Sequence, residues 1–105
     1  MDTTYYIYIL RCEGNLLYTG ITTDVSRRFE EHCGLRAGCA KYTRLHPPIR
    51  IERVWKTVGR ASASRLEYHI KTLSKLKKEA LIQSPNELVH FFGVKLNPDD
   101  YSVEQ

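Results

Sequence analysis

Five side chains in this sequence could do phosphate chemistry together: Tyr8, Tyr18, Arg28, His32 and Glu67. Two phenols, a guanidinium, an imidazole and one carboxylate are a plausible set for cutting a phosphodiester with a single divalent metal. The phosphodiester anion repels hydroxide, so such a site must both neutralise charge and activate water. Arg supplies a planar donor fork that is always charged and suits phosphate oxygens. A carboxylate can hold a metal that acts as Lewis acid at the scissile phosphate and on the departing alkoxide. A phenol ordinarily titrates near 10, so it can serve as a base only in a positive field.

These residues need a scaffold that brings them together, and the sequence describes one. Tyr5 to Leu10 and Leu16 to Ile21 are two aromatic and β-branched runs separated by Gly14-Asn15, a hairpin signal. If Tyr8 and Tyr18 share a face, Tyr8 must pair with Gly20, Leu10 with Tyr18 and Cys12 with Leu16. That register requires the odd-length connection Glu13-Gly14-Asn15, because a two-residue turn would send the phenols to opposite faces. Thr22-Thr23-Asp24 offers N-caps for a helix to about His32, closed by Gly34. Val25 and Phe29 form its apolar stripe, and Arg28 and His32 lie on the adjacent one, flanking the core seam.

Gly34 to Pro48 has neither helical nor strand periodicity and carries Lys41, Tyr42, Arg44 and His46, the pattern of a functional loop. A third strand is expected from Ile49 to Thr57, with Ile49, Ile51, Arg53 and Trp55 on one parity. Ser62 or Ser64 should cap a helix whose buried face is Leu66, Ile70 and Leu73. Ser74 should cap a Lys-rich helix through Ile82. Ser84-Pro85-Asn86-Glu87 reads as a capping box opening a last short helix to about Phe92. Tyr5, Trp55, Phe91 and Phe92 are expected in the core. The acidic tail from Asn97 is expected to fray. The fold class is α+β: a small three-stranded, mainly antiparallel sheet flanked by helices, with the domain at 1–95 and the tail at 96–105.

Composition fits this picture. A chain of 105 residues supports one modest core. The net charge of +4 hides an uneven distribution: Cys33 to Lys78 holds twelve Lys/Arg against only Glu52 and Glu67. Such a basic middle suits a phosphate-backbone binder. The sequence shows neither a signal peptide nor an apolar run long enough for a membrane span, so the expected location is cytoplasmic. Three cysteines do not make a disulfide framework. A zinc site from His32, Cys33, Cys39 and His46 is conceivable, but its spacing matches no common ligand pattern, and free thiols are the simpler reading.

Taken with Leu17 to Asp24, the Ala40 to Arg44 loop and Arg65-Leu66-Glu67-Tyr68, the motifs Tyr6-Ile7-Tyr8 and Tyr18-Thr19-Gly20 resemble the GIY-YIG nuclease domain. The likeness covers roughly Tyr5 to Ile82 and is greatest to small single-domain bacterial members, and the catalytic domain of structure-specific DNA endonuclease subunits is similar. It implies Tyr8 as general base or water-orienting group, and Tyr18 as hydrogen-bond partner of the nucleophilic water or scissile phosphate. Gly20 would allow close approach, Arg28 would neutralise phosphoryl charge, and His32 would tune a tyrosine or move a proton. Glu67 would be the lone metal carboxylate, for one Mg2+ or Mn2+ bound weakly without substrate. Lys41, Tyr42 and Arg44 would contact nucleic acid.

The sequence departs from the family pattern in four places, one being an asparagine that some branches use near the domain's end and that neither Asn86 nor Asn97 matches. Tyr6 replaces the first glycine and Thr19 replaces isoleucine. Ile21 and Thr22 stand where several branches have a lysine. The resemblance implies metal-dependent hydrolysis of DNA in repair or processing, with a targeting protein as a possible partner. A nucleic-acid-binding or adaptor module with little turnover, and a zinc-structured interaction module, are the alternatives.

Overall fold

The computed structural model describes residues 3–34 and 45–104. Within them the chain forms β1 (Thr4–Cys12), β2 (Leu16–Thr22), α1 (Val25–His32), β3 (Pro48–Val58), α2 (Arg60–Lys71), α3 (Lys75–Gln83), α4 (Leu88–Phe92) and β4 (Ser102–Val103). Short 3-10 turns at Gly93–Lys95 and Pro98–Asp100 precede β4. The fold class is α+β, and the antiparallel sheet has the order β2-β1-β3-β4. It therefore gains a fourth, two-residue strand beyond the three expected.

The hairpin has the register on which a shared tyrosine face depends. Tyr8 pairs with Gly20, Leu10 with Tyr18 and Cys12 with Leu16. Gly14 and Asn15 both take positive φ, 80° and 60°, which makes the three-residue connection possible. Asp24 caps α1 by accepting from the Arg27 N–H at 3.1 Å.

The sheet separates two apolar groups. On one face Ile7, Ile9 and Trp55 pack with Ala63, Leu66 and Ile70 of α2 and Leu81 of α3. On the other, Tyr8, Leu10 and Cys12 pack with Tyr18, Phe29 and Val54. Trp55 is buried as expected, and its indole N–H donates to the Pro85 carbonyl at 2.9 Å. None of the helices in the described residues is long and apolar enough to cross a membrane.

Four sequence expectations fail, each for a local reason. The single parity of Ile49 to Trp55 is broken by two register shifts. Ile9 faces Arg53 while Leu10 faces Ile51, leaving Glu52 as the extra residue, and Ile49 is skipped between Arg50 and Pro48. A bulge reverses which alternate residues face the core, so Trp55 is buried while Ile49 and Ile51 are exposed. Helix α2 begins directly after Gly59, whose φ is 90°, so Ser62 and Ser64 lie inside it and neither caps it. The Ser84 to Glu87 segment forms no capping box: Ser84 closes α3, and Glu87 precedes α4 without a side-chain bond. The tail is not frayed. Leu96 and Tyr101 are buried, the Tyr101 hydroxyl donates to the Ser62 carbonyl at 2.7 Å, and Ser102–Val103 pairs with β3.

Candidate active site

The close fit at Gly20 explains how two tyrosines share one small space. A methyl group added there would overlap the Tyr8 hydroxyl, lie 2.7 Å from its Cζ and 3.2 Å from Tyr18 Cε2. The missing side chain on β2 is thus the seat of the Tyr8 ring on β1. Tyr8 is only 2 % exposed, whereas Tyr18 is half-buried at the rim. Their ring centroids are 6.3 Å apart.

α1 closes this space from above. Its last residue, His32, is buried and stands edge-on to both phenols, with centroids 5.8 Å from Tyr8 and 5.0 Å from Tyr18. The Tyr8 hydroxyl and His32 Nε2 are 2.9 Å apart. Burial, and then the charge of Arg28, lower the His32 pKa to about 4, so the ring is neutral at pH 7. Burial also pushes the Tyr8 phenol well above its ordinary value, reinforced by Tyr18 and partly offset by Arg28. A neutral phenol is a better donor than acceptor, so we assign Tyr8 O–H as donating to Nε2 and the imidazole proton to Nδ1.

Arg28, one turn before His32, acts on the Tyr8 oxygen through both a hydrogen bond and its charge. Its Nη1 also donates to Glu31 Oε1 at 2.7 Å. Glu31 is a site neighbour that sequence reading missed, although its position three residues after Arg28 on a helix could have revealed it.

Glu67 arrives from the other layer. The apolar residues of α2 pack on the sheet face opposite α1, and Glu67 stands beside them, near enough for its negative charge to raise the Tyr8 phenol further. Its Oε2 lies 3.3 Å from Lys71 Nζ. The structure thus brings Tyr8, Tyr18, Arg28 and His32 into one cluster, with Glu67 within electrostatic reach. Lys41, Tyr42 and Arg44 fall outside the described residues. So does Cys39, which leaves the His32, Cys33, Cys39 and His46 zinc arrangement outside as well. No group of three or more potential metal-ligating side chains occurs among the described residues. A groove of about 570 Å³ opens beside Asp24, Val25, Ile51, Val54, Tyr6 and Glu104, but none of the five site residues lines it.

The sequence of residues 4–80 matches the family model of the GIY-YIG catalytic domain. This chain belongs to the GIY-YIG family. It is 45 % identical over 85 residues to the UPF0213 protein FN1575 of Fusobacterium nucleatum, covering 81 % of this chain and 83 % of that protein. With the UPF0213 protein XAC3202 of Xanthomonas axonopodis pv. citri it shares 40 % identity over 99 residues, 94 % of this chain and 91 % of the relative. The solution NMR structure of the UPF0213 protein BH0048 from Bacillus halodurans superposes with a TM-score of 0.51 at 39 % identity, covering 84 % of this chain and 92 % of that one. Membership places this GIY-YIG chain in a family of nuclease domains.

Proposed function

We propose that this GIY-YIG protein is an endonuclease that hydrolyses DNA phosphodiester bonds with one divalent metal, in cytoplasmic DNA repair or processing. The observation that carries this reading is the convergence of Tyr8, Tyr18, Arg28 and His32 over Gly20, with the Glu67 charge acting on the same phenol. Family membership and the basic stretch from Cys33 to Lys78 support it.

The burial difference supports different roles for the two tyrosines. Tyr18 at the rim can meet the attacking water or the scissile phosphate. Tyr8 sits behind it, protonated and bonded to a neutral imidazole, which favours an orienting role over that of a base in the resting protein. Arg28 beside the phenols is placed to neutralise charge growing on the phosphoryl oxygens. His32, neutral and bonded to the Tyr8 hydroxyl, can take up the Tyr8 proton as Tyr8 receives one from Tyr18 or its water, so that Tyr8 relays a proton without itself staying charged. Glu67 would hold the metal, and a single carboxylate suits a hard ion that keeps most of its waters and borrows phosphate oxygens, so Mg2+ or Mn2+ fits. When bound, the ion lowers the pKa of coordinated water and stabilises the departing oxygen. The reaction is in-line: water oxygen bonds to phosphorus, the P–O bond to one sugar breaks, and that alkoxide takes a proton.

The test is nicking of branched, single-stranded and duplex DNA with Mg2+ or Mn2+, with EDTA, and with Glu67→Ala. Cleavage should require the metal and vanish in Glu67→Ala and Tyr8→Phe; activity unchanged in either variant would refute the site assignment. The rival reading is a nucleic-acid-binding or adaptor module with little turnover. The raised Tyr8 pKa and the Arg28–Glu31 pair, which leave the resting site quiet, favour it. It predicts salt-sensitive binding without metal-dependent cutting. A targeting protein fits either reading, because a domain this small has little surface left to read sequence.

A further inference from the structure

The outer face of α2 points to the class of DNA this site takes, an inference that rests on the nuclease reading. At about 100° per residue, Arg60, Ser64, Tyr68 and Lys71 fall on one strip beside Glu67, turned away from buried Ala63, Leu66 and Ile70. A strand held at Glu67 would lie next to this strip. Tyr68 is 64 % exposed, so its ring is open to a ligand. It is not loose, because its ring is propped edge-to-face on His69 at 5.2 Å, and His69 lies 5.9 Å from Phe92.

Charge complements the exposed ring. From Arg60 to Gln83 there are six Lys/Arg against Glu67 and Glu79, and Glu79 is engaged by Arg11. Lys71, about half exposed, holds its ammonium 3.3 Å from the Glu67 carboxylate. On the far side of the phenols stand Arg27 and Arg28 of α1. A polyanion crossing the site would meet cations before and after the cut. The occupant that uses both the cations and a bare aromatic face is single-stranded DNA, since a base must be unpaired to stack on a side chain.

We infer that the Ser64–Tyr68–Lys71 strip receives the nucleotide flanking the scissile phosphate, with Tyr68 stacking on its unpaired base and Lys71 contacting its phosphate. The preferred substrate then carries single-stranded DNA beside the cut, as a flap, gap or splayed end does.

The experiment is binding of a labelled single-stranded oligonucleotide and of a duplex of the same sequence, both in EDTA so that no turnover intervenes. Tyr68→Ala should weaken single-strand binding roughly 5- to 100-fold and leave duplex binding within about twofold, while Tyr68→Phe retains single-strand affinity. Lys71→Gln should weaken both and flatten the salt dependence by about one phosphate contact. Tyr68 is exposed, so melting of its variants should match the parent and exclude unfolding as the cause. Wild-type single-strand affinity in Tyr68→Ala, or an equal loss on duplex, overturns the inference. The nuclease reading fails by a different sign: selective loss of single-strand binding in Tyr68→Ala with no metal-dependent cleavage by the parent keeps the strip and removes the enzyme.

Discussion

Two arginines on opposite faces of the same sheet contrast a residue that holds the fold with one for which we propose a chemical role. Arg11 on β1 is nearly buried and spends its guanidinium on distant segments. It forms a bidentate pair with Glu79 of α3 at 2.5 and 2.6 Å, a bond to Glu52 of β3 at 2.8 Å and another to Asn15 at 3.0 Å. Those contacts tie sheet, hairpin turn and helix together across 68 residues of chain. Arg28 instead pairs with Glu31, a neighbour on its own short helix, and presses on the Tyr8 phenol. Its ion pair links nothing that the α1 backbone does not already link.

The sharpest way to break that comparison is to truncate each arginine in turn. Arg28→Ala should reduce cleavage about 10²- to 10³-fold, the usual cost of losing one charge-stabilising donor, with little change in melting temperature. Arg11→Ala should do the reverse. Removing one partner of a buried pair leaves carboxylates uncompensated, so stability should fall by about 3 kcal/mol, discounted from the upper range because Glu79 is about a third exposed. The specific activity of the fraction that stays folded should persist. Denaturant unfolding and nicking assays on both variants decide it, and similar melting losses in the two would erase the distinction.

Acid separates the same two regions by window. His32 has a folded pKa of about 4 against 6.5 when free, so below pH 6.5 the unfolded chain binds a proton that the native site refuses. The linkage sign follows: the His32 contribution is complete above pH 6.5 and is lost as pH falls toward 4, on the order of 3 kcal/mol in all. On the Arg11 side, burial raises the Glu52 pKa but hydrogen bonds and charge from Arg11 and Arg50 outweigh it. Glu79 is lowered chiefly by its bonds to Arg11. Depressed carboxylates contribute stability that begins to fade only below their ordinary pKa of 4.5. Melting measured from pH 7 to 3 should therefore fall in two stages, and His32→Gln should remove the first alone.

How much of this was legible in the sequence depended on whether a local rule or a tertiary partner decided it. The hairpin register followed from period-2 geometry and one odd-length turn, and α1 followed from Asp24 and its apolar stripe. Both are local. The β3 bulge at Glu52 was hidden because only pairing with β1 reveals it, although the mixed alternation of Ile49 to Trp55 was its trace. The Ser84 segment looked like a cap, but Ser84 closes α3 and the Glu87 N–H donates to its backbone carbonyl at 3.1 Å instead of to its side chain. Tyr101 in an acidic tail gave no sign that Ser62 would accept its hydroxyl. At the site, residue types and spacing exposed the phenols, Arg28 and His32. The depth difference between Tyr8 and Tyr18, on which their proposed roles rest, needed coordinates.

The smallest expected effect probes a polar group that breaks the pattern on the Arg11 face. Thr19 pairs with Ile9 on β1, so its side chain shares the face with Arg11 and Ile9, where other buried polar groups serve as ties. Its Oγ1 is buried with no hydrogen-bond partner among the described residues, and the residue is only 4 % exposed. A buried hydroxyl without a partner carries a desolvation cost of about 1–3 kcal/mol, and an apolar side chain of the same shape removes it. Thr19→Val keeps the β-branch that a strand favours and should raise stability by about 1 kcal/mol. Because Thr19 faces away from Tyr8 and Tyr18, nicking activity should not change. A stable variant with altered cleavage would mean that the middle residue of the second motif reaches through the sheet to the phenols, and the division of labour between the faces would be wrong. A loss of stability would instead mean that the hydroxyl has a partner in solution, and the Arg11 face would then be tied together throughout.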